Sequence, residues 1–297
     1  MGKGNNTIRK NVLEAFSTED KCLAVLFEET KTELCPKCKQ PFRYHRVRNR
    51  KCYECSNCAN QIYPMKGTIF EGSRTPLPVW FAMMVDFLCD HRGVSAYSLA
   101  QKYGLTYKTA FRMEHKIRGG MKNTFTDMLS GTVEIDEHFH GGKRKLKQDE
   151  GKMGIGDKQI VFGMLERKNC LRMVHVIKKD AVTMRPLIKQ TIEKGSVIHH
   201  DNNGTYGDMK EAGFIPKLVK NKAGKEFRRG IHNNNIESQW SRMKRQILAT
   251  YCSVSPKYLQ AYLDEYSFRY NVGKGRLMLS LPETIMKICL NDQHHEV

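Results

Sequence analysis

Two Cys-x2-Cys pairs, Cys35/Cys38 and Cys55/Cys58, stand sixteen residues apart in a chain of 297, and no other feature restricts the local fold so tightly. That spacing suits two turns holding one tetrahedral Zn2+ between four thiolates. A redox-active Cys-x2-Cys needs a strand-to-helix context, which Pro36 and its polar neighbours do not supply. The ten cysteines are also distributed wrongly for a disulfide scaffold: five crowd between Cys35 and Cys58, while Cys22, Cys89, Cys170, Cys252 and Cys289 are scattered singly. Cys52 is left over, because pairing it with Cys55 would shorten the interval to thirteen residues and leave Cys58 alone. Residues 31–72 therefore read as a zinc ribbon with Cys35, Cys38, Cys55 and Cys58 as ligands.

Between the pairs run Lys37, Lys39, Arg43, Arg46, Arg48, Arg50 and Lys51, interleaved with Phe42, Tyr44 and His45. Such a metal-pinned basic hairpin suits phosphates, with Arg43, Arg46, Arg48 and Arg50 as candidate contacts. The whole chain leans the same way, since 50 Lys and Arg against 31 Asp and Glu leave a net +19. That excess points to a polyanionic partner, double-stranded DNA. An apolar content of 40% provides a core and excludes disorder as the main state. The longest apolar run, Val79 to Val85, stops at Asp86, well short of the roughly 20 residues a membrane helix needs. The amino terminus carries charges where a secretory signal would be apolar. The expected setting is a reducing cytoplasm, nucleoid-associated, or a nucleus if the source is eukaryotic, with no membrane partner.

Downstream, Pro76 and Pro78 favour a helix start, with Val79, Met83, Phe87 and Leu88 on one face. Two short helices then flank Gly104-Leu105-Thr106, with Ser95 and Thr106 as N-caps and Ala100, Leu105, Ala110 and Ile117 as packing positions. Residues 73–122 thus have the pattern of a helix-turn-helix, whose second helix would present Tyr107, Lys108, Thr109 and Arg112 to a major groove. An ordinary helical hairpin fits the same pattern. Gly119-Gly120 reads as the end of this region, and residues 1–30 as an N-terminal helical segment.

From Gly131 strands dominate. Thr132 to Phe139 alternates; Gln159 to Glu166 and Cys170 to Ile177 are joined by Arg167-Lys168-Asn169; a helix fills Ala181 to Glu193 with Gly195 as its cap. Val197 to Asp201 and Pro216 to Lys220 are further strands, and another helix begins near Asn235. This succession predicts an α/β fold, a ribonuclease H-like mixed sheet flanked by helices over residues 130–255, followed by C-terminal helices in 256–297.

Asp136 lies in the first of these strands and Asp201 closes the fourth. If the two strands are parallel neighbours, their carboxylates meet at one sheet edge and call for a divalent cation, Mg2+ or Mn2+ for an all-oxygen donor set. Glu237 is the candidate third acid. In its helix Ile236, Trp240, Met243 and Ile247 form a core stripe, while Glu237, Ser241 and Lys244 share an adjacent face. A carboxylate for metal and an ammonium for phosphate then point the same way. The stretch from Lys143 to Lys158 and the basic loop ending in Arg228 and Arg229 read as loops able to face DNA.

The segments TVEIDEHFHGGKRK, VIHHDNNGTY, HNNNIESQWSRMKR and VSPKYLQAYLDEYSFRYN resemble successive motifs of bacterial insertion-sequence transposases that pair a zinc ribbon with a DDE-type integrase domain, relatives of the eukaryotic Merlin transposases. In the amino half, CSNCANQIYPMKGTIFEGSRTPLPVWF resembles the second zinc knuckle and linker of the same family. The resemblance spans residues 34 to 272. It implies that Asp136, Asp201 and Glu237 carry the metals and that Lys244 assists on DNA. Some members have Asn as the third ligand, so Asn234, which matches the family's H-x-N-x-x-E, stands beside Glu237. The resemblance further implies recognition of terminal inverted repeats, metal-dependent strand cleavage and strand transfer, and an active homodimer or larger assembly. Two other classes fit the residues: a ribonuclease H-like nuclease without strand transfer, and a zinc-ribbon/helix-turn-helix regulator. A tyrosine nucleophile at Tyr270 fits poorly, since that chemistry surrounds its tyrosine with Arg and His rather than carboxylates.

Overall fold

The computed structural model describes residues 3–41, 43–90, 92–122, 127–141, 158–201, 206, 209–219, 230–273 and 280–290. The chain divides into two compact units, residues 1–124 with 279–297, and residues 125–278.

In the first unit, α1 (Lys3–Ala15) is followed by α2 (Glu19–Thr30), whose N-cap Thr18 accepts from the Lys21 N–H and whose first turn carries Glu19 and Asp20. Strands β1 (Tyr44–Arg46), β2 (Tyr53–Cys55) and β3 (Gln61–Ile62) form an antiparallel sheet. Phe27 of α2 stacks on Tyr53 at 3.9 Å and meets Tyr44 edge-on at 5.6 Å, so α2 covers the ribbon with aromatic surface.

Helix α3 (Leu77–Cys89) differs from the single stripe expected of it. Leu77, Trp80, Phe81, Met83, Met84, Val85, Asp86 and Phe87 are all buried, whereas Val79 and Leu88 are only half-buried. A helix apolar nearly all round belongs at the centre of its layer. The one acid among these, Asp86, is matched by Arg9, Lys102 and the Tyr103 hydroxyl.

Helices α4 (Ala96–Tyr103) and α5 (Tyr107–Lys122) flank the expected three-residue turn. Gly104 takes the left-handed conformation (φ 62°), and the Ser95 and Thr106 hydroxyls accept from the Ser98 and Thr109 N–H groups. Gly119-Gly120 does not end α5, which continues to Lys122. A Cβ on Gly120 would lie 2.3 Å from the Ile288 carbonyl oxygen, so the glycine serves the close crossing of the helix Leu281–Leu290.

The second unit contains β4 (Thr132–His140), β5 (Gln159–Glu166), β6 (Leu171–Val176), α6 (Ala181–Thr191), β7 (Val197–His200), β8 (Ile215–Leu218), α7 (Asn234–Gln246) and α8 (Leu259–Gly273). The sheet order is β6-β5-β4-β7-β8, with β4, β5 and β6 antiparallel and β7 and β8 parallel to β4. This is the ribonuclease H-like mixed sheet. On one face Met184 and Ile188 of α6 pack against Val133, Ile135, Phe162, Met164 and Ile198. On the other, Ile236, Trp240, Met243, Leu259 and Leu263 of α7 and α8 pack against Val161, Leu165, Leu171 and Met173. Gly195 is not the cap of α6, which ends at Thr191; with φ 86° it turns the chain into β7 instead.

Strand β6 lies at a sheet edge, and α8 satisfies its outward backbone groups. Asn271 accepts from Leu171 N–H and donates to the Leu171 carbonyl; Gln260 accepts from His175 N–H and donates to the Met173 carbonyl. An edge occupied in this way resists pairing with another chain.

Candidate functional site

The parallel register pairs Glu134 of β4 with His199 of β7. Carried two residues further, it sets Asp136 level with Asp201, at the point where β7 has ended and β4 continues. One carboxylate oxygen from each of Asp136, Glu137 and Asp201 lies within 4.8 Å of the others. Burial pushes the Asp136 carboxyl up to about 6, and the charges of Glu137 and Asp201 add to the shift. A half-buried acid beside two more is an arrangement that a divalent cation relieves, and the all-oxygen donor set is that of Mg2+ or Mn2+.

Glu137 was legible in the sequence only as a neighbour of Asp136, because alternation along the strand sends it to the opposite face. Its side chain is 1% exposed, ion-paired to Lys179 at 2.9 Å and bonded by the Tyr206 hydroxyl, so its charge is already matched within the protein. Burial, then the Glu137 charge, pushes the Tyr206 hydroxyl well above its ordinary pKa.

Helix α7 is fastened to the same strand. Glu134, wholly buried, accepts from the Asn235 N–H (3.0 Å), the Asn235 side-chain amide (2.7 Å), the Ile236 N–H (3.0 Å) and Arg167 Nε (2.7 Å). A carboxylate at a helix start satisfies otherwise orphaned N–H groups and favours the helix dipole. Asn233 adds a bond from its amide to the Ile135 carbonyl at 3.2 Å. Further along the helix, Trp240 Nε1 donates to Asp136 Oδ2 at 2.8 Å.

Lys244 is exposed on α7. Burial lowers His138 to about 4 and lowers His140, and in both the Lys244 charge is the second cause. Glu237, half-buried and one helical turn before Trp240, is outside the 4.8 Å group of acids, and Asn234, which begins the helix, is exposed. The structure therefore unites two of the three expected acids and sets the third on the helix bonded to one of them. Tyr270 is half-buried, and burial raises its hydroxyl pKa, the reverse of an activated nucleophile.

The four cysteines also converge. Sγ atoms of Cys35 and Cys58 are 3.7 Å apart, those of Cys38 and Cys55 are 3.9 Å apart, and all four lie within 4.8 Å. A tetrahedron of Zn–S bonds of about 2.3 Å requires S···S distances of about 3.8 Å. The two turns repeat each other: Lys39 N–H bonds the Cys35 carbonyl as Ala59 N–H bonds the Cys55 carbonyl, both at 2.9 Å, with φ 54° at Lys39 and 56° at Ala59. Cys52 is buried outside this group.

Among the basic residues, Arg43, Arg48, Arg50, Lys108 and Arg112 are exposed. Arg46 is not an open phosphate contact: its guanidinium bonds Asp20 at 3.1 Å and the carbonyls of Val47, Arg50 and Cys52. Thr109 is half-buried, its hydroxyl 2.9 Å from that of Thr106. Arg228, Arg229 and residues 142–157 of the other loop lie outside the described residues.

The second unit thus carries a ribonuclease H-like sheet with acids gathered at its strand ends, and the first carries a four-cysteine group. Residues 128–271 match the ISXO2-like transposase domain, and the chain carries a transposase domain of that family. It is 26% identical over 256 residues to the "Uncharacterized protein in transposable element ISH50" of Halobacterium salinarum, covering 80% of this chain and 85% of that one. Among solved structures, it is similar to the simian T-cell lymphotropic virus intasome in complex with PP2A regulatory subunit B56 gamma (TM-score 0.30, 10% identity, 57% of this chain and 63% of that chain). It is also similar to a pre-cleavage Mos1 transpososome (TM-score 0.27, 11% identity, 100% of each chain).

Proposed function

We propose that the second unit cuts DNA at the ends of an insertion sequence and transfers the freed strands to a target, and that the ribbon and the α4–α5 pair bind the terminal inverted repeats. The meeting of Asp136 and Asp201 at the end of β7 is the observation that carries this reading. Asp136 and Asp201 hold the divalent cations in it, and Glu237 completes the set from α7, with Asn234 as the alternative donor. Mg2+ or Mn2+ bound there supplies activation of the attacking hydroxyl and stabilises charge on the leaving oxygen. Glu134 keeps the start of α7 against β4, and Lys244 neutralises the phosphate of the strand being cut. Zn2+ on Cys35, Cys38, Cys55 and Cys58 keeps the ribbon folded, with Arg43, Arg48 and Arg50 toward the DNA backbone and Lys108 and Arg112 toward a groove. Two or more copies of the chain bring the two ends together.

The test uses purified chain, DNA carrying the element's ends, and Mg2+. Cleavage followed by joined products is expected. Asp136→Asn or Asp201→Asn lowers cleavage on the order of a thousandfold while leaving DNA binding in a gel shift unchanged. Binding that falls as far as cleavage removes the catalytic assignment, and cutting without joining leaves the nuclease.

A further inference from the structure

Gly163 of β5 stands directly across the ladder from Asp136 of β4. A Cβ at that position would lie 2.4 Å from Cη2 and 2.7 Å from Cζ2 of Trp240, so the bare glycine is what admits the indole onto the sheet. The ring is 5% exposed and stacks on His138, with centroids 5.3 Å apart and planes at 23°. Its one polar atom, Nε1, donates to Asp136 Oδ2 at 2.8 Å. A core tryptophan needs only one partner for its N–H, and here that partner is a carboxylate of the acidic group rather than a backbone carbonyl.

We infer that Trp240 is a positioning residue for Asp136: its N–H fixes one carboxylate oxygen so that the other faces the cation shared with Asp201, and Gly163 exists to seat the indole that does this. The inference rests on the proposed metal site. A charge-assisted bond from a packed ring fixes the carboxylate's rotamer before the cation arrives, which removes ordering that binding would otherwise oppose.

Manganese alone is the probe, with free Mn2+ counted by electron paramagnetic resonance on the full chain. Trp240→Phe is expected to weaken Mn2+ binding about tenfold, with zinc content unchanged. Should Trp240→Phe fail to fold, β-(3-benzothienyl)alanine in place of Trp240 keeps the bicyclic shape and removes only the N–H; the same loss is expected. Gly163→Ala, which displaces the ring, should weaken binding likewise. A second readout comes from the two tryptophans of the chain: on Mg2+ addition the indole N–H resonance of Trp240 shifts and that of Trp80 does not. Wild-type Mn2+ affinity in a folded Trp240→Phe or benzothienyl chain overturns the inference. Undiminished Mn2+ binding by Asp136→Asn overturns instead the metal reading beneath it.

Discussion

Glu134 holds Asn235 twice, through its backbone N–H and through its side-chain amide, and so pins the first turn of α7 to the strand that carries Asp136. The same buried carboxylate is ion-paired to Arg167, which also donates to the His232 carbonyl at 2.9 Å. Removing it takes the acceptor from three N–H donors and the counter-charge from Arg167, which keeps the His232 carbonyl. Glu134→Ala is expected to lower stability by about 3 to 5 kcal/mol, measured as a shift of the urea midpoint at constant slope. A variant as stable as the parent would mean that α7 is held by its apolar stripe alone.

Asp136 places function against stability. Its folded pKa of about 6 lies above that of about 3.9 in an unfolded chain, so the folded state binds its proton more tightly. Below about pH 4 both states are protonated and the group is neutral in its effect; stability then falls as pH rises from about 4 to 6 and stays lower above that. Asp136→Asn removes the charge and should gain about 2 kcal/mol at pH 8 in the presence of a chelator, with the gap closing toward pH 4. Mg2+ should raise the melting temperature of the parent and leave that of Asp136→Asn where it is. Equal melting curves at pH 8 would remove burial as the cause of the raised pKa.

What could be read from residues alone was local. Alternation through Thr132–Phe139 and the strand ending at Asp201 locate both aspartates, since period and strand ends depend on neighbouring residues. Glu137 escaped because it leaves the sheet on the other side, toward Lys179 and Tyr206, neither of them near it in sequence. Gly163 and Gly120 look like unremarkable glycines until Trp240 and Ile288 arrive from far along the chain. Trp240 reads as core from its spacing, and it is core; spacing carries no information about where its N–H points. The Arg-Tyr-Asn run at 269–271 draws attention for its tyrosine, yet it is Asn271 that bonds the edge of β6 and Arg269 that pairs with the buried Glu265 at 2.8 Å.

The ribbon's ligand set separates two neighbouring cysteines. Cys55 offers its sulfur to the four-thiol group, whereas Cys52 is buried apart from it. Purified Cys52→Ser should contain one Zn2+ per chain by elemental assay, and Cys55→Ser much less than one, with a ribbon that unfolds at lower temperature. Loss of zinc from Cys52→Ser would move the second knuckle to Cys52 and Cys55.

The basic hairpin divides in the same manner. Arg48 is exposed, while Arg46 is engaged by Asp20 and three carbonyls and has a neighbour in the ring of Tyr53, 6.0 Å from its guanidinium. An exposed arginine on a phosphate contributes to affinity mainly by releasing counterions, so Arg48→Ala should weaken DNA binding and reduce the dependence of log K on log salt by about one ion. Arg46→Ala removes instead the bonds to Asp20 and to three exposed or part-buried carbonyls, which costs about 1 kcal/mol of stability. Its DNA affinity, measured below the unfolding transition, should keep the parent's salt slope. If the two variants exchange these signatures, with Arg46→Ala losing the salt dependence and Arg48→Ala the stability, DNA approaches the hairpin from the side that α2 covers, and the assignment of its exposed arginines is reversed.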